Sequence, residues 1–441
     1  MLFSRSKHIY ILALGLLLLG TASWQQKNCL TRFFDCAICK AHAVANLPRA
    51  AQAAPHRSDE VGYNFTVRWD KIPGAVAYEI EFFNKNERFL NDKRVYINGY
   101  NVELPSDFQG KEISWHVRAL DFDRNPLNNF SAMQVLKFNK KLAPLRVPVP
   151  TNKFNATRGA NLLYPVYNWI PVQGIRNYEV EILNALPQDN KHAADSSILL
   201  GKGYGTGFDW YDDDKRVSDS IMYWRVRGVD TNGMPLTDFS NPEPFQLSTR
   251  QFFPIATFGD SITHGGGSIS YSPSDWEYSY QTYLDFDTVN LGQSGDTSAS
   301  SLERFDSDVV PFHPKYLLIM TGSNSLRGWT SAAEVIDDLE NIRLKCLQNN
   351  IKPVFLTLPP INPDNINKTF AEPTAEDWVE RFASVNAYIR QYPHIELNTK
   401  FEEGKPLPTE YALDGLHLDI NGKKLMAEAI NEQLPKLMNR Y

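Results

Sequence analysis

Cysteine is scarce in this chain and unevenly placed. Only four occur in 441 residues, and three of them, Cys29, Cys36 and Cys39, lie before residue 40. The body keeps Cys346 alone, so its folding does not rest on internal disulfides. With His42 the leader cysteines spell C-x6-C-x2-C-x2-H. Thiolate and imidazole are zinc ligands, but this spacing matches no site with a physical motive, and neither metal nor cofactor is expected. A long apolar run is missing too. The stretch Ile9 to Leu19 is shorter than the ~18 residues of a spanning helix. Arg5 and Lys7 precede it and Gly20-Thr21-Ala22 follows, the arrangement of an export signal. A second small-residue cleavage point stands at Ala51-Gln52-Ala53, and an uncleaved anchor, with membrane association through this segment, is the alternative. Residues 1–57 are therefore set apart as a leader. The expected location is extracellular, periplasmic or cell-envelope. Blocks of positive charge are also absent, and the net charge is −6, which argues against a nucleic-acid partner.

What the chain has is an internal repeat. Trp69 to Glu81 reads WDKIPGAVAYEIE and Trp169 to Glu181 reads WIPVQGIRNYEVE, with Tyr-Glu at the same offset from each Trp. Farther on, WHVRALDFDRNPLNNFS from Trp115 and WRVRGVDTNGMPLTDFS from Trp224 agree at eight of 17 positions, too many for chance. Both copies alternate apolar and polar residues with period two, as in Tyr78-Glu79-Ile80-Glu81-Phe82, which predicts half-buried antiparallel strands. Two β-sandwiches follow, at 58–142 and 143–249. The paired Trp and Tyr resemble fibronectin type III modules. Trp69, Trp115, Trp169 and Trp224 are expected in the cores rather than as sugar-stacking platforms.

After Arg250 short apolar runs alternate with helical periodicity. Ile255–Phe258, Thr288–Asn290, Tyr316–Met320 and Pro353–Leu356 read as buried strands. Ser331–Asn349, Glu376–Arg390 and Asn421–Met438 read as helices. Such alternation predicts a three-layer α/β domain at 250–441, a doubly wound parallel sheet of flavodoxin-like type. A stretch starting near Ser248 is expected to fold and act by itself. Ligands of these sheets bind at the carboxyl ends of the strands, and the informative residues fall there.

Four blocks carry the chemistry: Phe258-Gly259-Asp260-Ser261-Ile262-Thr263, then Asn290-Leu291-Gly292-Gln293-Ser294-Gly295-Asp296, then Thr321-Gly322-Ser323-Asn324-Ser325, and finally Asp414-Gly415-Leu416-His417. A serine hydroxyl needs a base to become a nucleophile. His417 can serve, and Asp414, three residues earlier, can orient the imidazole and stabilise its charged form. The serine lies at the start of its domain and outside a G-x-S-x-G turn, which argues against an α/β-hydrolase elbow. In order and position the blocks resemble the GDSL, or SGNH, hydrolase family over 253–438. The resemblance implies an esterase with Ser261, Asp414 and His417 as triad, and an oxyanion hole made by the N–H groups of Ser261 and Gly292 and the side-chain amide of Asn324. Ser325 departs from the G-x-N-D of that family, and the missing carboxylate is expected to affect loop support or substrate shape rather than chemistry. Asp260 reads as a structural loop residue. His264 is expected in the site wall, and Trp276 and Trp329 either stack on a sugar ring or pack the loops.

The activity this implies is hydrolysis of a short acyl ester, acetyl by preference, on an extracellular carbohydrate. A lysophospholipase, a thioesterase or an acyltransferase stays open within the same fold. The reading from another class is a non-catalytic protein whose sandwiches dock to a glycan or a cell-surface partner.

Overall fold

The computed structural model describes residues 63–440 apart from 73, 105–107, 109, 122, 137–146, 152–153, 155–158 and 267–275. The leader, with Cys29, Cys36, Cys39 and His42, lies outside the described residues.

The period-two stretches form strands as expected. In the first module β1 (Tyr63–Arg68) pairs antiparallel with β4 (Gly99–Leu104). A second sheet has the order β3-β2-β5-β6, from β2 (Ala77–Asn84), β3 (Glu87–Val95), β5 (Ile113–Leu120) and β6 (Gln134–Val135). Phe65, Val67, Ile80, Phe82, Val102 and Val117 fill the space between the layers. The second module contains β7 (Val149–Pro150), β8 (Val166–Ile170), β9 (Asn177–Leu183), β10 (Leu199–Thr206), β11 (Asp209–Tyr211), β12 (Met222–Val229) and β13 (Glu243–Phe245). Here a tight turn pairs Thr206 with Asp209 and carries β10 into β11, so all seven strands belong to one continuous sheet.

The repeat has a structural meaning in both copies. Tyr78 Oη accepts from Ile72 N at 3.2 Å, and Tyr178 Oη accepts from Val172 N at 2.9 Å, closing the same turn. Arg118 pairs with Glu79 at 2.6 Å, and Arg227 with Glu179 at 2.6 Å. Trp115, Trp169 and Trp224 are buried and Trp69 packs against the first core, so the tryptophans serve packing.

The C-terminal domain holds five parallel strands: β14 (Ile255–Gly259), β15 (Val289–Asn290), β16 (Tyr316–Met320), β17 (Lys352–Leu356) and β18 (His394–Ile395). Their order is β15-β14-β16-β17-β18, the second strand lying outside the first. This is the flavodoxin-like arrangement, whose switch point separates β14 from β16. The helices are α1 (Ser261–His264), α2 (Ser298–Asp308), α3 (Ser323–Arg327), α4 (Ala332–Gln348), α5 (Pro363–Phe370), α6 (Trp378–Ile389) and α7 (Ile420–Met438). α4 starts with a capping box, in which Ser331 accepts from Glu334 N and Glu334 accepts from Ser331 N. Every residue of β14 and β16 is buried, as strands covered on both faces require.

The domain is less self-contained than its sequence suggests. β15 is an edge strand, and the second module covers it. Asn290 N donates to Asn161 O at 2.8 Å, Leu163 N donates to Asn290 O at 3.0 Å, and Leu162 bridges Asn290 in parallel. Unpaired strand edges are costly to leave open. The boundary at 249/250 separates the two sheets, and Asn161–Leu163 reach across it to the edge of the parallel one.

Candidate active site

The nucleophile's position follows from one glycine. Gly259 ends β14 with φ +154°, and a Cβ there would stand 1.8 Å from Met320 O. Only glycine lets the chain leave the strand this close to its neighbour. Asp260 then caps α1, its Oδ1 accepting from Ile262 N at 3.0 Å. Ser261 is thereby the first residue of the helix, where an N–H has no intrahelical acceptor. Burial pushes the Asp260 carboxyl up to about 7, and its Oδ2 is buried without a partner among the described residues.

Ser261, His417 and Asp414 form one hydrogen-bonded line. His417 Nε2 lies 2.8 Å from Ser261 Oγ, and His417 Nδ1 lies 2.9 Å from Asp414 Oδ2. The Asp414 carboxylate is itself fixed, because Oδ1 accepts from Leu416 N at 2.8 Å and from His417 N at 2.7 Å. With Nδ1 donating to Asp414, Nε2 is left as the acceptor for the serine hydroxyl. Asp414 and Ser261 are buried and His417 keeps one partly open side, a site reachable by substrate.

The oxyanion donors differ from the expectation at one position. Asn324 follows β16 on α3, with Oδ1 accepting from Arg327 Nε at 3.1 Å and Nδ2 donating to Asp296 O at 3.0 Å. Those bonds orient the amide and use one of its two hydrogens, so the second can serve an oxyanion. Gly292, in contrast, gives its N–H to Asn290 Oδ1 at 2.9 Å. It is glycine for another reason, since a Cβ would meet His264 N at 2.5 Å. Gly292 therefore lets the second block pack against α1, and its N–H is engaged by the Asn290 side chain. Ser325, which stands where the family often has a carboxylate, is tied to the second block's loop. Its Oγ accepts from Ser298 N at 2.9 Å, and Ser298 Oγ donates to Asp338 Oδ2 at 2.6 Å, which brings a carboxylate in from α4.

His264 is not in the site wall. It is buried, with Nε2 donating to Tyr164 O at 2.7 Å and Nδ1 accepting from Ser294 Oγ at 2.8 Å. A carbonyl accepts only, which sets the tautomer. Both nitrogens are spent on the fold, so no substrate contact is left to them. Burial pushes its pKa down to about 4, against 6.5 in the open chain. The folded state thus refuses a proton that the unfolded state takes up. Stability from this residue is complete above the unfolded value and is lost as pH falls toward 4, by about 3 kcal/mol. Denaturant unfolding between pH 7 and 4 should therefore show a shallower acid limb in His264→Gln than in the parent. Parallel limbs would mean that His264 protonates in place.

Trp329 is 56% exposed and adopts φ +81°, while Trp276 is half-buried in a short turn. Lys423 is a residue that the pattern reading passed over. It is fully buried on α7, donates to Ile262 O at 2.8 Å directly after the nucleophile, and is pushed down by burial to about 7. A lysine on the same helical stripe as Ile420, Met426 and Ile430 is the signal that was there to find.

Comparison with known proteins agrees with this geometry. Residues 257–425 match the model of the GDSL-like lipase/acylhydrolase family. A stretch of 135 residues is 27% identical to the uncharacterised lipoprotein YqeF of Bacillus subtilis, covering 26% of this chain and 52% of that protein. The chain thus spans about half the length of the curated relative it matches. Similar solved structures include a GDSL-like lipase from Bacteroides thetaiotaomicron, at 20% identity over 41% of this chain and 87% of that one, TM-score 0.33. A lipase/acylhydrolase from Enterococcus faecalis is 22% identical over 41% and 95%, TM-score 0.33. An acetylxylan esterase from Geobacillus stearothermophilus is 17% identical over 41% and 94%, TM-score 0.32.

Proposed function

We propose that the chain hydrolyses carboxylic esters through an acyl-enzyme on Ser261, in a C-terminal domain that matches the model of the GDSL-like lipase/acylhydrolase family. The observation that carries this is the continuous line of contacts from Ser261 Oγ through His417 to Asp414. Ser261 Oγ attacks the ester carbonyl as His417 Nε2 takes its proton. The oxyanion is met by the Ser261 N–H and the second amide hydrogen of Asn324. His417 returns the proton to the departing alcohol. It then takes one from water, which attacks the acyl-serine and releases the acid.

The finer reading is a short acyl group, acetyl by preference, on a carbohydrate outside the cytoplasm. Its support is the signal-like Ile9–Leu19 segment, the tandem sandwiches that could dock to a glycan, and the open indole of Trp329. The test is a panel of p-nitrophenyl acetate, octanoate and palmitate with acetylated oligosaccharides, a lysophospholipid and an acyl thioester. Acetyl esters should exceed long-chain esters by at least about tenfold in kcat/KM, a range that pocket fit alone can give. Preference for the lysophospholipid or thioester would replace the substrate class and keep the chemistry. Hydrolysis of nothing in the panel would favour a binding protein.

A further inference from the structure

Behind the nucleophile lies a buried polar chain that starts in the second sandwich module. Tyr164, in the segment leading into β8, donates its hydroxyl to Asp308 Oδ2 at 2.6 Å. That oxygen also accepts from Arg304 Nη1 at 3.1 Å, and Asp308 and Tyr164 are both buried. Arg304 turns three further N–H groups to the two loops of the site. Nη2 donates to Gly259 O at 3.0 Å, two residues before the nucleophile. Nη1 donates to Leu291 O at 2.7 Å, and Nε to Asp296 Oδ2 at 2.6 Å. Asp296 O in turn holds the Asn324 amide. Tyr164 acts on the site a second time, because its carbonyl accepts from His264 at the far end of α1.

A guanidinium can satisfy several acceptors at once only if its plane is fixed, and its fork geometry makes that fixing directional. Asp308 and Asp296 fix it from two sides. Burial pushes the Asp308 carboxyl up, but hydrogen bonds from Ser307 and Tyr164 and the charge of Arg304 outweigh burial and hold it below its ordinary value. The Tyr164 hydroxyl is thus one of the groups that keep Asp308 charged and in place.

We propose that Tyr164 is a positioning residue for ester hydrolysis, acting from the second sandwich through Asp308 and Arg304 on the backbone that presents Ser261 and Asn324. The inference rests on the esterase reading above. Small displacements of reacting groups are expensive, up to about a hundredfold for a misplacement of about 1 Å. Tyr164→Phe keeps the ring and the carbonyl and removes only the hydroxyl.

The experiment uses the full chain and four forms: parent, Tyr164→Phe, Arg304→Lys and the double variant. Turnover of p-nitrophenyl acetate is measured together with the rate at which a fluorophosphonate labels Ser261. Tyr164→Phe should lower kcat and labelling by about tenfold with KM within about twofold, since orientation and not binding is lost. The double variant should be no slower than Arg304→Lys, because groups acting through one another do not add. Asp308→Asn is the second probe should a Tyr164 variant fail to fold, with the same loss expected. Unchanged kcat in Tyr164→Phe or Asp308→Asn, or multiplicative losses in the double variant, would overturn the proposal alone. A parent that neither turns over nor labels would overturn the esterase reading, and this proposal with it.

Discussion

Ser261→Ala should abolish turnover, with kcat lower by roughly 10⁴–10⁶, because members of a triad act as a unit and removing one forfeits most of what all three supply. The fold should be untouched. Ser261 begins α1 but does not cap it; the cap is Asp260, through its bond to Ile262 N. The serine oxygen's hydrogen bond is to His417, which keeps Asp414 as its orienting partner. The variant should therefore show the parent's circular dichroism and denaturant midpoint while losing both hydrolysis and fluorophosphonate labelling. Retention of more than about a tenth of the activity, at a purity that excludes parent enzyme, would place the nucleophile elsewhere.

Asn324→Ala should lower kcat by about 10²–10³ with little change in KM, the range for losing one preorganised donor to a developing oxyanion. The upper end is expected here. With the Gly292 N–H engaged by Asn290 Oδ1, the amide of Asn324 is expected to carry a larger share. The substitution also releases Asp296 O and Arg327 Nε from their bonds to the side chain. Asn324→Asp serves as a control, because a carboxylate facing an oxyanion repels it and should be no better than alanine. A rise in KM at constant kcat would instead mark Asn324 as a ground-state binding residue.

Much of this molecule was legible as pattern. Period-two alternation located the strands of both modules, and the matched Trp and Tyr blocks identified the repeat. The four blocks picked out Ser261, Asp414 and His417, which the fold brings into one hydrogen-bonded line, because each sits at a strand end or before the last helix, where local sequence and position coincide. Asn324 was singled out in the same way, and the structure fixes its amide between Asp296 and Arg327. What escaped depended on partners distant in the chain. β18 has two residues and shows no period. His264 looked like a wall residue because its partner, Tyr164, lies a hundred positions away. Gly292 was read as a donor to the oxyanion, and the structure adds a packing reason that the sequence does not show: a Cβ there would meet His264 N. Arg304 and Lys423 are charged residues turned inward, visible in principle as breaks in an apolar stripe but without any hint of which carbonyls they serve.

The cover that Asn161–Leu163 gives to β15 bears on how such a protein can be inherited. A crossover in the gene at the start of the family-matching stretch, Thr257, would carry every catalytic residue into a new host and still leave behind the neighbour of the outermost strand. The recipient would express a domain with an open edge and a histidine whose carbonyl partner is gone. A transfer that keeps Asn161–Leu163 and Tyr164 with the hydrolase domain would carry both contacts along with the catalytic candidates.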